Sequence, residues 1–172
     1  MTKLILDSVT VRDFNTLELL APLLDLSYGM QTTSTACSSS EIPSDLVTCD
    51  SAVCNKFYVE TLTEDDRLKV LALGYDNPGL VFEDYTVLYI AHRDGTELVT
   101  GDKCMRRIAG QMHVVTRDYM WVLEEMIAAG ILDITVAIPK YAELHATVNP
   151  GAIWYNSVTS LHNAYERRRL SA

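Results

Sequence analysis

Apolar residues fall along this chain in short runs separated by segments of helical period, and that alternation predicts the elements. Leu4-Ile5-Leu6 is a continuous apolar run that ends at Asp7-Ser8. It reads as a buried strand with Asp7 at its carboxyl end. From Asn15 to Leu26 the residues Leu17, Leu19, Leu20, Leu23 and Leu24 recur at helical spacing, with Pro22 among them. Met30 to Thr35 is expected to be a second strand, and Ser38-Ser39-Ser40 supplies hydroxyl caps for a helix carrying Glu41 near its start. Phe57-Tyr58-Val59-Glu60-Thr61, aromatic and β-branched, predicts a third strand. Thr63 then caps a helix running to about Leu73.

Beyond the turn Asn77-Pro78-Gly79, the apolar positions Val87, Leu88, Ile90 and Ala91 predict a helix over 83–93 with Asp84 in its first turn. Leu98-Val99-Thr100 is the next strand and delivers Gly101-Asp102 to its carboxyl end; Met105, Ile108 and Ala109 mark the helix that follows. A last strand is expected at His113-Val114-Val115-Thr116, then a helix from Tyr119 to Ala129 with Trp121, Leu123 and Met126 turned inward, Trp121 and Met126 as core or dimer contacts. Regular alternation of strand and helix is the signature of an α/β fold, three layers in the order α/β/α around a central, mainly parallel sheet. Ligands of such sheets collect at the carboxyl ends of the strands, where Asp7 and Asp102 fall.

With 172 residues, 48% of them hydrophobic, the chain can bury one substantial core and is read as a single domain, 1–172. Residues 131–172 form its C-terminal helical extension, in which 141–145 and 157–165 are expected helices that cap the domain or mediate dimerisation. Asp7 interrupts the first apolar run too early for a signal peptide, and no stretch approaches the ~18 apolar residues that cross a bilayer. A cytoplasmic protein without membrane contact is expected. Cys37, Cys49, Cys54 and Cys104 contain no Cys-x-x-Cys pair and are read as reduced thiols rather than zinc ligands. The net charge of -9 excludes a protein that coats nucleic acid by bulk attraction, because that affinity comes from Lys and Arg neutralising phosphates. It leaves a nuclease open, since divalent ions reverse the field inside a carboxylate pocket.

Four stretches resemble the PIN-domain family. Leu4-Ile5-Leu6-Asp7-Ser8 is similar to its opening strand and first metal-binding acid; Ser40-Glu41-Ile42 to the segment of the second; Gly79-Leu80-Val81-Phe82-Glu83-Asp84-Tyr85 to that of the third. Glu97-Leu98-Val99-Thr100-Gly101-Asp102-Lys103, followed by Met105-Arg106-Arg107-Ile108-Ala109, resembles the strand and turn bearing the fourth. The resemblance covers roughly the first 130 residues. It implies a Mg²⁺- or Mn²⁺-dependent ribonuclease whose catalytic and metal-binding residues are Asp7, Glu41, Asp84 and Asp102. Asp7 and Asp102 would ligate directly, Asp84 directly or through water, and Glu41 would ligate or orient the attacking water. Ser8 and Thr100 would hold carboxylates or phosphate oxygens.

The toxin-type branch of the family further implies an RNA substrate, a cognate antitoxin protein and a homodimer. Lys103, Arg106 and Arg107 would contact the RNA backbone, although a solvated helix face explains them equally well. Three readings remain beside the nuclease. One is a catalytically silent PIN-like binding or scaffold protein. Another is a small nucleotide-dependent α/β protein, whose phosphate-binding glycines the sequence lacks. The last takes the acids as ordinary residues at helix starts, where the dipole favours negative charge.

Overall fold

The computed structural model describes residues 2–39, 57–148, 161–167 and 170. Five strands, β1 (Lys3–Leu6), β2 (Gly29–Thr33), β3 (Phe57–Glu60), β4 (Glu97–Val99) and β5 (Thr116–Arg117), form one sheet in the order β3-β2-β1-β4-β5. Every pairing is parallel. The expected α/β architecture is therefore observed. Helices α1 (Ser8–Thr16), α2 (Leu20–Leu23), α7 (Tyr119–Ala128) and α8 (Ile134–Val148) pack on one face, and α3 (Ser34–Ser39), α4 (Glu64–Asp76), α5 (Phe82–Asp94) and α6 (Lys103–Gln111) on the other. Residues 161–167 are also helical, and Leu161 and Ala164 join the first of these faces.

Alternation along the strands makes the two cores. Leu4 and Leu6 point to the α1/α7 side with Met30 and Val99, while Ile5 points to the α5/α6 side with Leu98. All six are buried, as strands covered on both faces must be. Phe14 of α1 meets Tyr119 of α7 edge to face at 5.3 Å.

The second layer is held by one hub. Arg93 near the end of α5 pairs with Glu60 of β3, with Asp66 of α4 at 3.6 Å and with Asp94 at 2.7 Å. Asp66 in turn closes the capping box of α4, exchanging bonds with Thr63. The turn from α4 to α5 is tight: the Tyr85 hydroxyl donates to Asn77 O and accepts from Leu80 N. Its ring lies where a Cβ on Gly74 would come within 3.2 Å. Gly95 ends α5 in the left-handed conformation, φ 64°, the helix stop that favours glycine.

Several boundaries differ from those read off the sequence. The segment after Asp7 is a helix, with Thr10, Val11 and Phe14 buried, and the expected helix over 15–26 reduces to α2. The break falls at Glu18, where the backbone turns to φ 56°, and Pro22 is accommodated in the first turn of a four-residue helix. Leu19, Leu20, Leu23 and Leu24 are buried around a corner, with Leu17 partly buried beside them, so their spacing mimics a helical stripe. Residues 34–39 are helical, where the second strand was expected to continue to Thr35 and the serines to act as caps. The last strand is Thr116–Arg117, later than expected, because His113 occupies a turn at φ 58°. In α7, Val122 and Ile127 are buried beside Leu123 and Met126, while Trp121 is only partly buried. Met126 is thus a core residue and not a dimer contact. Among the described residues no helix is long and apolar enough to cross a membrane.

Candidate functional site

The chain fills the sheet outward from β1 to β2 and β3, then crosses back to place β4 on the other side of β1. This reversal opens a crevice between the carboxyl ends of β1 and β4, the position where open α/β sheets bind ligands. Leu6 and Val99 are register partners, so the residues that follow them, Asp7 and Thr100, emerge side by side.

Asp7 is 2% exposed. It is the N-cap of α1: Oδ1 accepts from Thr10 N at 2.5 Å. The Thr10 hydroxyl and the Thr100 hydroxyl also bond its side chain and favour its charged form. Burial outweighs them, helped by the nearby charge of Asp84, and pushes the Asp7 carboxyl up to about 6. Thr100, fully buried, accepts from Asp102 N at 3.0 Å with the same hydroxyl that reaches Asp7. It ties the two strand ends together, in the role expected of it. The hydroxyl that reaches Asp7 from α1 is that of Thr10; Ser8, the first helical residue, is half-buried.

Asp102 is exposed and caps α6, its Oδ1 accepting from Met105 N at 2.8 Å. Asp84 is half-buried in the first turn of α5 and accepts from Val81 N at 3.3 Å. Its carboxyl is raised by burial, and further by the charges of Asp102 and Glu83. The start of α5 is pinned to the sheet by the 2.8 Å bond between the hydroxyls of Thr86 and Thr33, the last residue of β2. Three acids distant in sequence are therefore coupled in series, Asp7 to Asp84 to Asp102, running from the interior to the surface. Each engages a helix N–H through one carboxylate oxygen. Among the described residues no group of three or more His, Cys, Asp and Glu side chains closes into a metal-holding cluster. Glu41, expected as the second acid, lies outside the described residues, as do Cys49 and Cys54.

A cavity of about 890 Å³ opens beside Asp102, between α1, the β4–α6 turn and α8. Its walls include Arg12, Asp13, Lys103 and Tyr119. The Tyr119 hydroxyl donates to Asp13 Oδ2 at 3.1 Å, and burial together with the charge of Asp7 makes it hard to ionise. Of the three basic residues expected to meet RNA, only Lys103 lines this cavity. Arg106 braces the strand end by donating to Thr100 O at 3.3 Å and lines a smaller recess of about 260 Å³ with Arg117 and Trp121. Arg107, exposed, reaches Cys104 Sγ at 3.7 Å.

The sequence reading missed Thr10, Arg12 and Tyr119. Thr10 three residues after Asp7 was the available signal, since a residue at that spacing from a capping acid offers its N–H. The neighbourhood of Tyr119 had none, because 109 residues separate it from Thr10. Together the fold and the crevice define an all-parallel α/β protein with an acid series at its topological switch point. Comparison with family models, curated proteins and solved structures gives no match to this chain.

Proposed function

We propose that the chain is a PIN-like, Mg²⁺- or Mn²⁺-dependent endoribonuclease. The observation that carries this reading is the electrostatic coupling of Asp7, Asp84 and Asp102 at the crevice between β1 and β4. A buried carboxylate raised to about 6 and a second, Asp84, raised by burial and then by the charge of Asp102, are costly without a counter-charge. The donor set is entirely oxygen, which suits a hard divalent cation that keeps several waters. Bound there, such an ion supplies an activated water and neutralises charge on the phosphodiester oxygens.

The protein residues do the rest. Asp7 and Asp102 are assigned to direct ligation, Asp84 to direct or water-mediated ligation, and Glu41 to ligation or orientation of the attacking water. Thr10 and Thr100 fix the Asp7 carboxylate, and Thr100 also fixes the Asp102 backbone. Lys103 and Arg12, on the cavity wall beside Asp102, are the cations assigned to the phosphate backbone of RNA, with Arg12 shared with Asp13 at 3.5 Å. A cytoplasmic toxin restrained by a cognate antitoxin is the biological setting this reading carries with it.

Purified chain with Mn²⁺ is expected to cleave structured RNA, and Asp102→Asn to abolish cleavage. Asparagine preserves the helix cap, so loss of activity would report the charge and not unfolding. Equal cleavage by both proteins overturns the proposal.

One observation favours a second reading, a catalytically silent PIN-like binding protein. Each acid already serves a helix start through one oxygen, a purely structural use. Titration calorimetry separates the two, since the silent form binds neither Mg²⁺ nor Mn²⁺ at millimolar concentration.

A further inference from the structure

The cavity beside Asp102 offers more than its two cations. Its volume of about 890 Å³ is that of a small-molecule site, and Val9, Leu17 and Leu144 give it apolar walls. One carboxylate is set firmly into those walls. Asp13, on the second turn of α1, has a side chain only 11% exposed. Its Oδ2 accepts from the Tyr119 hydroxyl at 3.1 Å, and Arg12 lies 3.5 Å from Oδ1. Tyr119 is itself buried with its ring edge-to-face against Phe14, so the core and not a mobile surface group holds Asp13 in place. The oxygens of a carboxylate accept about four hydrogen bonds, and these two contacts leave acceptor positions on a group that lines the cavity. Glu143, the acid contributed by α8, is exposed and keeps its water.

Donor and acceptor chemistry decides what such a group selects. A fixed carboxylate favours a ligand with two adjacent N–H donors and opposes one that brings an acceptor, which would be desolvated without a partner. Arg12 offsets the charge of Asp13, so a neutral pair of donors suits the site better than a second cation. Among the RNA bases guanine alone carries two neighbouring donors on its pairing edge, the ring N–H and the 2-amino group. Adenine and cytosine set an amine beside an acceptor nitrogen, and uracil sets its single N–H between two carbonyls. Unpaired bases are read along this edge. The remainder of a nucleotide fits the course of the cavity. Asp13 lies six residues past Asp7, about 9 Å along α1 at ~1.5 Å per residue, which matches the reach of one nucleotide from phosphate to pairing edge. Lys103 and Asp102 line the same cavity from the β4–α6 turn, where the phosphate end would fall.

We propose that this cavity is a guanine-binding subsite, in which Asp13 reads the pairing edge of an unpaired base of the RNA substrate. That the base belongs to a substrate rests on the nuclease reading above; the selectivity for guanine does not. Tyr119 is a positioning residue that acts through Asp13.

The test is an NMR titration of the isotope-labelled full chain with the monophosphates of guanosine, adenosine, cytidine and uridine, in EDTA so that no metal-dependent hydrolysis runs. Guanosine monophosphate is expected to bind ~10-fold or more tightly than the other three, the discrimination of one bidentate pair, and to shift the signals of Arg12, Asp13 and Thr16. Inosine monophosphate keeps the ring N–H and lacks the 2-amino group, so on the unaltered chain it should bind ~10-fold more weakly than guanosine monophosphate. Asp13→Asn, with folding verified by circular dichroism, should abolish the preference, because asparagine presents one donor beside one acceptor. Tyr119→Phe keeps the ring and releases the carboxylate, and should reduce the preference by a few-fold. No saturable binding of guanosine monophosphate, four nucleotides bound alike, or inosine equal to guanosine overturns the proposal. So does an Asp13→Asn chain that keeps the preference, or inorganic phosphate bound as tightly as guanosine monophosphate, which would mark an anion site only. The two readings fail separately. A chain that selects guanosine monophosphate in EDTA but cleaves no RNA with Mn²⁺ keeps the base site and loses the nuclease, whereas one that cleaves RNA without regard to guanosine keeps the nuclease and loses the base site.

Discussion

Replacing Asp7 by asparagine should make the protein gain stability on the wild type as pH rises to neutrality, while disabling it. In the fold, burial raises this carboxyl from 3.8 to about 6. Between those two values the native state holds a proton that the unfolded chain has released, so wild-type stability falls as pH rises through the interval. At ~1.4 kcal/mol per unit, charging Asp7 costs about 3 kcal/mol by pH 7. Asparagine carries no such charge and keeps the cap on Thr10 N. Its amide hydrogens find fewer partners at a site built for acceptors, which costs roughly 1–3 kcal/mol at every pH.

The absolute difference between the two proteins mixes both effects, but its pH dependence isolates the first. Urea unfolding followed by circular dichroism should show Asp7→Asn gaining about 2–3 kcal/mol on wild type between about pH 4 and pH 7.5, with an unchanged m-value. Mn²⁺ should then offset that gain at neutral pH. At a free concentration ~100 times its dissociation constant an ion adds about 2.7 kcal/mol to the protein that binds it and nothing to the one that does not. A wild-type minus variant difference that stays flat across the pH range would refute the claim that Asp7 is buried at an electrostatic cost. A flat response to Mn²⁺ with the pH effect intact would refute only the metal assignment.

Three further outcomes follow from neighbouring contacts. Thr86→Val removes the hydroxyl that binds Thr33 and anchors the start of α5, so it should lower stability by about 1–2 kcal/mol in thermal melts and reduce cleavage by displacing Asp84. Asp66 is held down to about 2, chiefly by the Tyr89 hydroxyl and then by Thr63. The stability it contributes is present above pH 3.8 and lost as pH falls toward 2, so Asp66→Ala should cost about 2 kcal/mol at pH 7 and less in acid, as read by urea midpoints at the two pH values. Lys103→Ala should leave the melting temperature unchanged, since the side chain is exposed, and lower the slope of log affinity against log salt for single-stranded RNA by about 0.7.

What the sequence disclosed divides along a physical line. Strand cores and the acids that follow them were legible because burial forces an apolar run and the run must end where the sheet ends; Leu4 to Asp7 and Leu98 to Asp102 are such cases. Thr63 and Asp84 were legible as helix-start residues because capping is a contact of short range. Helix α1 was not, because three of its nine residues are buried and the leucines after it, buried around a corner, carry a stronger pattern than the helix itself. The partners of Asp7 were legible only where they are local: Thr10 lies three residues away, whereas Thr100 and Tyr119 approach it through the β1–β4 register and the docking of α7. The same distinction bears on the site itself. A carboxylate at a strand end is also a good helix cap, so sequence position alone cannot separate a ligand from a cap. Coupling between acids on different elements can: a cap needs no second charge beside it, and Asp7 and Asp84 each carry one at a cost to their own ionisation. That cost is unexplained by the caps of α1, α5 and α6, and a divalent cation would remove it.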